Sequence, residues 1–418
     1  MPVTAGRSRR HAVGIAIVLA WLLAAGVVVL GGRRVTDGGW LALHLVLLGA
    51  VTNAIFEWSE HFAATLLHAR PTADRLVWAR TALLNLGVVL VLTGVHGGRP
   101  GLVGGGAGVL GLVVVAQALV LGSWLRRGLG GPRQLGDTVW FYLAGSGALL
   151  SGIGLGVMLS VGAGSADTFR AMRLAHAHLN LLGWIGLAVI GTLFTLWPAV
   201  LRTRIVPGIA VAARWALLLC VGGLAAITVG LLIQGRALTL VGLCGYIVGV
   251  GAALVPFVAT ARRRRPRSGA AWMLAAGVSW LVASVAVDLA RLLGVDRVVD
   301  LDAHLGRLVP AVAAGFGLQM VMGALSFLMP VVLGHGPQGN RRLTRLLELG
   351  WPARVAVLNV GVALRAFGPD TGWSVRTGWW LVGLAAGLFV LLAVAALVRA
   401  TVLDGSARGG QERLARRS

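Results

Sequence analysis

Four histidines, His44, His176, His178 and His304, lie in long apolar stretches of the sequence, each toward one end of its stretch. Imidazole is a common protein ligand for haem iron and copper, and it seldom sits in hydrocarbon without a partner. Histidines at a shared depth therefore point to a haem or copper centre close to one membrane face. His44 and His304 form the natural axial pair for a haem b, because bis-histidine ligation clamps two helices together. His176 and His178 stand two positions apart, about 200° around a regular helix, so only one of them can face a given centre. One of them can therefore act as a ligand while the other faces a neighbouring helix or water.

A second set of polar residues runs along one helical stripe: Asn53, Glu57 and His61, continued by His68, with Glu60 displaced from it. A carboxylate–imidazole ladder of this kind passes protons or seals one helix against its neighbours. The sealing role is the favoured one, since polar residues give out toward the histidines at the other end. Asp288 and Arg291, one turn apart, are placed to pair with each other. Other chemistries find no support in the sequence. It has no Walker lysine, no Cys-x-x-Cys, no G-x-S-x-G elbow and no H-E-x-x-H helix.

Elements that hold such residues must cross a bilayer. The chain is 57% hydrophobic and 12% charged, with a mean hydropathy of +0.85, which fits an integral membrane protein. Its net charge of +23 comes from arginine alone, since lysine is absent. These arginines sit at the ends of apolar runs, where they set topology, and so no nucleic-acid partner is expected. Cys220 and Cys244 fall in apolar stretches and read as small buried hydrophobes.

Apolar runs give twelve candidate spans: residues 12–31, 39–67, 77–96, 102–124, 138–161, 174–197, 209–233, 238–260, 269–293, 303–333, 353–367 and 378–402. The eleventh is short and contains Arg365. Every second connection is rich in arginine: Arg70 and Arg75; Arg126, Arg127 and Arg133; Arg202 and Arg204; Arg262 to Arg265 with Arg267; Arg341, Arg342 and Arg345. The intervening connections are poor in it. The positive-inside rule then places both termini in the cytoplasm of a bacterial-type plasma membrane and the histidines toward the outer face. The expected fold is all-α, a transmembrane domain over residues 1–405 followed by a basic tail, 406–418.

An internal repeat accompanies this count. The second, sixth and tenth spans each begin with an outer histidine and finish near a proline, Pro71, Pro198 or Pro330. The recurrence predicts three four-helix arcs with these spans in related positions.

With twelve spans and histidines on the second, sixth and tenth, the chain resembles subunit I of the haem–copper oxidase superfamily, which includes nitric oxide reductases. The run His176-Ala-His-Leu-Asn-Leu-Leu-Gly-Trp184 is similar to one in divergent relatives of that superfamily. The stretches His44-Leu-Val-Leu-Leu-Gly-Ala-Val-Thr-Asn53, Trp58-Ser-Glu-His-Phe62 and Leu328-Met-Pro-Val-Val-Leu-Gly334 resemble membrane segments that accompany cupredoxin-type copper oxidases and nitrite reductases. The resemblance implies that His44 and His304 hold a low-spin haem, that His176 or His178 holds copper, and that Arg291 or Arg307 meets haem propionates.

The chain also departs from that pattern. Its seventh span has no histidine, its tenth has one, and its tyrosines, Tyr142 and Tyr246, lie outside the sixth. A dioxygen-reducing binuclear centre is therefore not expected. The expectation is a haem-binding and copper-binding membrane protein that transfers electrons or handles a small ligand, served by an external cupredoxin-type oxidase or cytochrome. The rival expectation is a membrane anchor or metal transporter without enzymatic activity.

Overall fold

The computed structural model describes residues 2–31, 38–127, 136–369 and 371–415, with side chains described as far as Thr401. Arg133 lies outside the described residues, as do Arg416 and Arg417. All regular structure among the described residues is helical. The first four helices are α1 (Pro2–Leu30), α2 (Gly39–Leu66), α3 (Asp74–His96) and α4 (Pro100–Arg127). The next four are α5 (Gly136–Ser160), α6 (Ala166–Val200), α7 (Ile209–Leu232) and α8 (Arg236–Arg263). The last five are α9 (Gly269–Gly294), α10 (Val298–Leu333), α11 (Pro337–Leu347), α12 (Trp351–Phe367) and α13 (Gly372–Ala415).

Eleven of these helices are long and apolar enough to cross a bilayer, and α11 with α12, bent by 44°, make a twelfth if taken together. The short eleventh span of the sequence lies on α12, with α11 ahead of it. The basic tail continues α13 as helix to Ala415. Leu218, Val255 and Leu391 are 64%, 70% and 66% exposed, so the outer surface is apolar where lipid would lie. By contrast α6 and α10 are 78% buried over their apolar windows, against 44% or less for every other span. They form the centre of the bundle.

The repeat has a sharper expression than histidine and proline spacing. Among the described residues π-helical geometry occurs on α2 (Leu45–Val51), α6 (Leu179–Leu187) and α10 (Ala311–Leu318), and on no other helix. Such segments are rare, and they cluster at functional sites. Gly49, Gly183 and Gly315 occupy the same position in the three segments. A Cβ on Gly49 would stand 2.8 Å from the Trp21 ring of α1, and one on Gly315 2.6 Å from the Trp280 ring of α9. Each tryptophan then donates Nε1–H at 2.6 Å to an asparagine, Trp21 to Asn85 of α3 and Trp280 to Asn359 of α12.

The middle unit replaces this lock with apolar contact. A Cβ on Gly183 would lie 2.5 Å from Ala148 of α5 and 2.8 Å from Leu224 of α7. Pro198 and Pro330 also share a register and lie inside α6 and α10. Pro71 lies beyond the end of α2 and is not their counterpart; Ala64 holds that position. Trp184 Nε1 donates to Thr52 Oγ1 at 3.1 Å and joins α6 to α2 at the centre.

Candidate functional site

The glycine register fixes which histidines correspond. His44 and His178 stand at the same distance before Gly49 and Gly183, and each donates Nδ1–H at 2.8 Å to the carbonyl one turn back, Trp40 or Leu174. On α10 that place belongs to Pro310. His304 lies further out, roughly 9 Å along the helix axis at ~1.5 Å per residue. Its depth therefore does not match that of His44. His304 ends the 3-10 segment Val298–His304, and the α-helical residues Leu305–Pro310 separate it from the π segment. His304 is half-buried, and no hydrogen bond or ring contact joins it to the other histidines among the described residues.

His44 stacks on Trp40 with ring centroids 4.1 Å apart. His176 donates Nδ1–H at 2.8 Å to the Gly152 carbonyl of α5. Gly156, a turn further on, leaves room for the ring, since a Cβ there would stand 3.2 Å from its Cε1. Carbonyls only accept, so both rings carry the proton on Nδ1. In a neutral ring Nε2 then presents its lone pair, the tautomer in which histidine binds metals, with a carbonyl orienting the ring from behind.

His178 is arranged differently. Its Nε2 lies 2.7 Å from Asp288 Oδ2 of α9, and with Nδ1 on Leu174 both ring nitrogens are engaged. Both side chains are buried, at 6% and 7% exposure. The pairing expected between Asp288 and Arg291 is thereby corrected: Asp288 turns inward to His178 and Arg291 is exposed. A small cleft adjoins the pair, lined otherwise by apolar side chains and Ser284. The two histidines of the sixth span thus face different helices, as the angular argument requires. Cys220 is buried as expected, whereas Cys244 is exposed.

Ion pairs tie down the same end of the bundle. Arg173 binds Asp302 through both guanidinium arms, and Arg297 binds Asp167. Together they fasten the start of α6 to the segment leading into α10.

The stripe on α2 links helices. Asn53 and Asn85 exchange amide hydrogen bonds at 3.0 and 3.2 Å. Glu57 accepts from His11 Nδ1 at 2.6 Å, with Arg10 Nε 4.0 Å away. His61 sets its edge against His11, centroids 5.0 Å apart, and His11 stacks on Trp58 at 5.4 Å. Arg10 and His11 are buried parts of the bundle; composition alone reads Arg10 as topological flank.

Sequence reasoning missed one network. Arg80 of α3 binds Glu60 and donates to Gln117 of α4 at 2.5 Å, while Gln117 donates to the Phe56 carbonyl at 3.3 Å. The signal was Arg80 itself, a charge inside an apolar run that demands a carboxylate.

Among the described residues no three His, Cys, Asp or Glu side chains are arranged to hold a metal ion. Two imidazoles are enough for the axial positions of haem iron. Compared with known proteins, the chain matches no family model, and no curated protein is significantly similar to it.

Proposed function

We propose that this chain is a multi-pass membrane protein that binds haem b near the outer face and transfers electrons or handles a small ligand there. The supporting observation is the pair His44 and His176, each with Nδ1–H held by a backbone carbonyl and Nε2 left to coordinate. His44 is one ligand. His176 is the preferred second, in place of His304, because its Nδ1–H is held by a backbone carbonyl as that of His44 is. Bound haem supplies one-electron exchange or a site for a diatomic ligand. The chain's residues orient the two rings, fix their tautomers and surround them with apolar helix. The cavity of about 610 Å³ between α2, α5, α6, α9 and α10 is lined almost wholly by apolar side chains, which suits passage of a small uncharged ligand. Metal transport needs polar ligands along such a path, and only Ser59, Tyr142 and Thr192 bring hydroxyls to it.

Copper at His176 or His178 has less support, since His178 has no nitrogen to spare. An external cupredoxin-type oxidase or cytochrome remains the proposed redox partner, and relation to the haem–copper oxidase scaffold is part of this proposal. The test is the optical spectrum and iron content of detergent-purified protein. A Soret band with low-spin features, lost in His44→Ala and His176→Ala and kept in His304→Ala, is the expected result. Loss in His304→Ala with retention in His176→Ala returns the second ligand to α10. Protein without a Soret band or stoichiometric iron overturns the proposal.

A further inference from the structure

The corner between α10 and α12 carries a separate message. Helix α11 has eleven residues and two unlike faces. Leu343 and Leu347 are buried against the bundle, whereas Arg341, Arg342 and Arg345 are exposed. Among the described residues no carboxylate or carbonyl receives these three guanidiniums. Glu348 is the sole acid in residues 334–352, and it is already committed. Its carboxylate accepts from the Gly269 and Ala270 amides at 2.7 and 3.2 Å, which caps α9.

That cap also sets the level of the helix. The end of α11 meets the start of α9, and its beginning follows the end of α10, so α11 lies where two spans leave the bilayer. Trp351 opens α12, and Trp272, 45% exposed, lies in the first turn of α9, as interfacial tryptophans do. Leu349, 64% exposed, points out of the protein at the same level. Arg354 adds cationic demand behind the helix: it is buried, gives one arm to the Leu347 carbonyl, and leaves Nε and Nη1 without a hydrogen-bond partner. Arg399 is exposed on α13, which packs against α11.

We propose that α11 is a binding site for the phosphate headgroup of anionic phospholipid, with Arg341, Arg342 and Arg345 as the contacts. Guanidinium pairs with phosphate through two parallel hydrogen bonds, and a basic amphipathic helix in the interface plane gathers acidic lipid. The buried leucines and the Glu348 cap hold the helix in place, so the arginines are presented without an ordering cost. This assignment is independent of any haem.

The full chain is exchanged into equimolar phosphatidylglycerol and phosphatidylcholine, and retained lipids are counted by native mass spectrometry. Wild type is expected to retain phosphatidylglycerol in preference. Arg345→Gln should lower that preference roughly fivefold, and the triple Arg341→Gln, Arg342→Gln, Arg345→Gln should abolish it. A control triple at the end of α8, Arg262→Gln, Arg263→Gln, Arg265→Gln, should keep it, and inorganic phosphate should not displace the lipid. No preference in wild type, unchanged retention in Arg345→Gln, equal loss in the control, or displacement by phosphate overturns the assignment. The single variant decides the matter if the triple fails to fold.

Discussion

His178 and Asp288 meet across α6 and α9 at 2.7 Å, both buried, and the opposite nitrogen of the histidine is fastened to its own helix. The pair holds α9 against the central helix from the repeat before it. Removing one member leaves the other as an uncompensated polar group in a low-dielectric interior, which costs about 3–5 kcal/mol. Asp288→Ala is therefore expected to lower the thermal unfolding midpoint in detergent substantially, and Asp288→Asn by less, because the amide N–H can donate to Nε2 of the neutral ring. Neither should change a haem spectrum if His44 and His176 are the ligands. Unfolding at the wild-type temperature in both variants contradicts the structural role.

The glycines of the π segments give a second expectation. A methyl on Gly315 would meet the Trp280 ring at 2.6 Å, closer than real Cβ atoms come, so the helices must part. Gly315→Ala should destabilise by about 1–3 kcal/mol. Trp280→Ala in the same chain should recover part of that loss, since the clash disappears with the ring. Additive losses in the double variant, measured as a mutant cycle, rule out the contact as the cause. Gly49→Ala with Trp21→Ala should behave alike, because the repeat places the same lock there.

These locks show how far the sequence carries. Twelve crossings, an all-helical bundle and the special status of the second, sixth and tenth helices follow from hydropathy, arginine alternation and the recurrence of histidine. The register does not. Histidine and proline are sparse markers, and on α10 the histidine stands eleven residues ahead of the π-segment glycine where His44 stands five ahead of its own. The true register rests on Gly49, Gly183 and Gly315, which are lost among 62 glycines until the helices that cross them are known. Asp288 pairs across the fold with His178 instead of locally with Arg291, because an inward carboxylate on a buried face can reach only what the neighbouring helix offers. His11 was hidden for another reason: it sits beside the terminal arginines, and proximity to them masks its burial against Glu57 and Trp58.

Arg80 and Glu60 provide a third test. The pair is buried, and Gln117 completes one arm of it. Arg80→Met alone strands Glu60, and Glu60→Gln alone strands Arg80, each at a cost of about 3–5 kcal/mol. The double variant removes both charges and should be more stable than either single one. If the double variant is the least stable of the three, the two residues do not act as a pair.

The last expectation concerns topology, and it turns on the bend between α11 and α12. Counted together they give twelve crossings, and both ends of the chain lie on the same side; counted as no crossing, they leave eleven and the ends on opposite sides. The tail arginines Arg408 and Arg413 favour the first arrangement, since it puts them on the same cytoplasmic side as the connections carrying Arg202 and Arg204, Arg262 to Arg265, and Arg341 to Arg345. Reporter fusions after Arg204, after Arg265 and after Ala415 should therefore report inside. Fusions after Arg99 and after Gly368 should report outside, the second because α12 then reaches the far face with its 17 residues aided by the bend. An inside signal at Gly368 together with an outside signal at Ala415 shows that α12 does not cross. An inside signal at Arg99 reverses the first arc instead, and it moves His44 and His176 to the cytoplasmic end of the bundle.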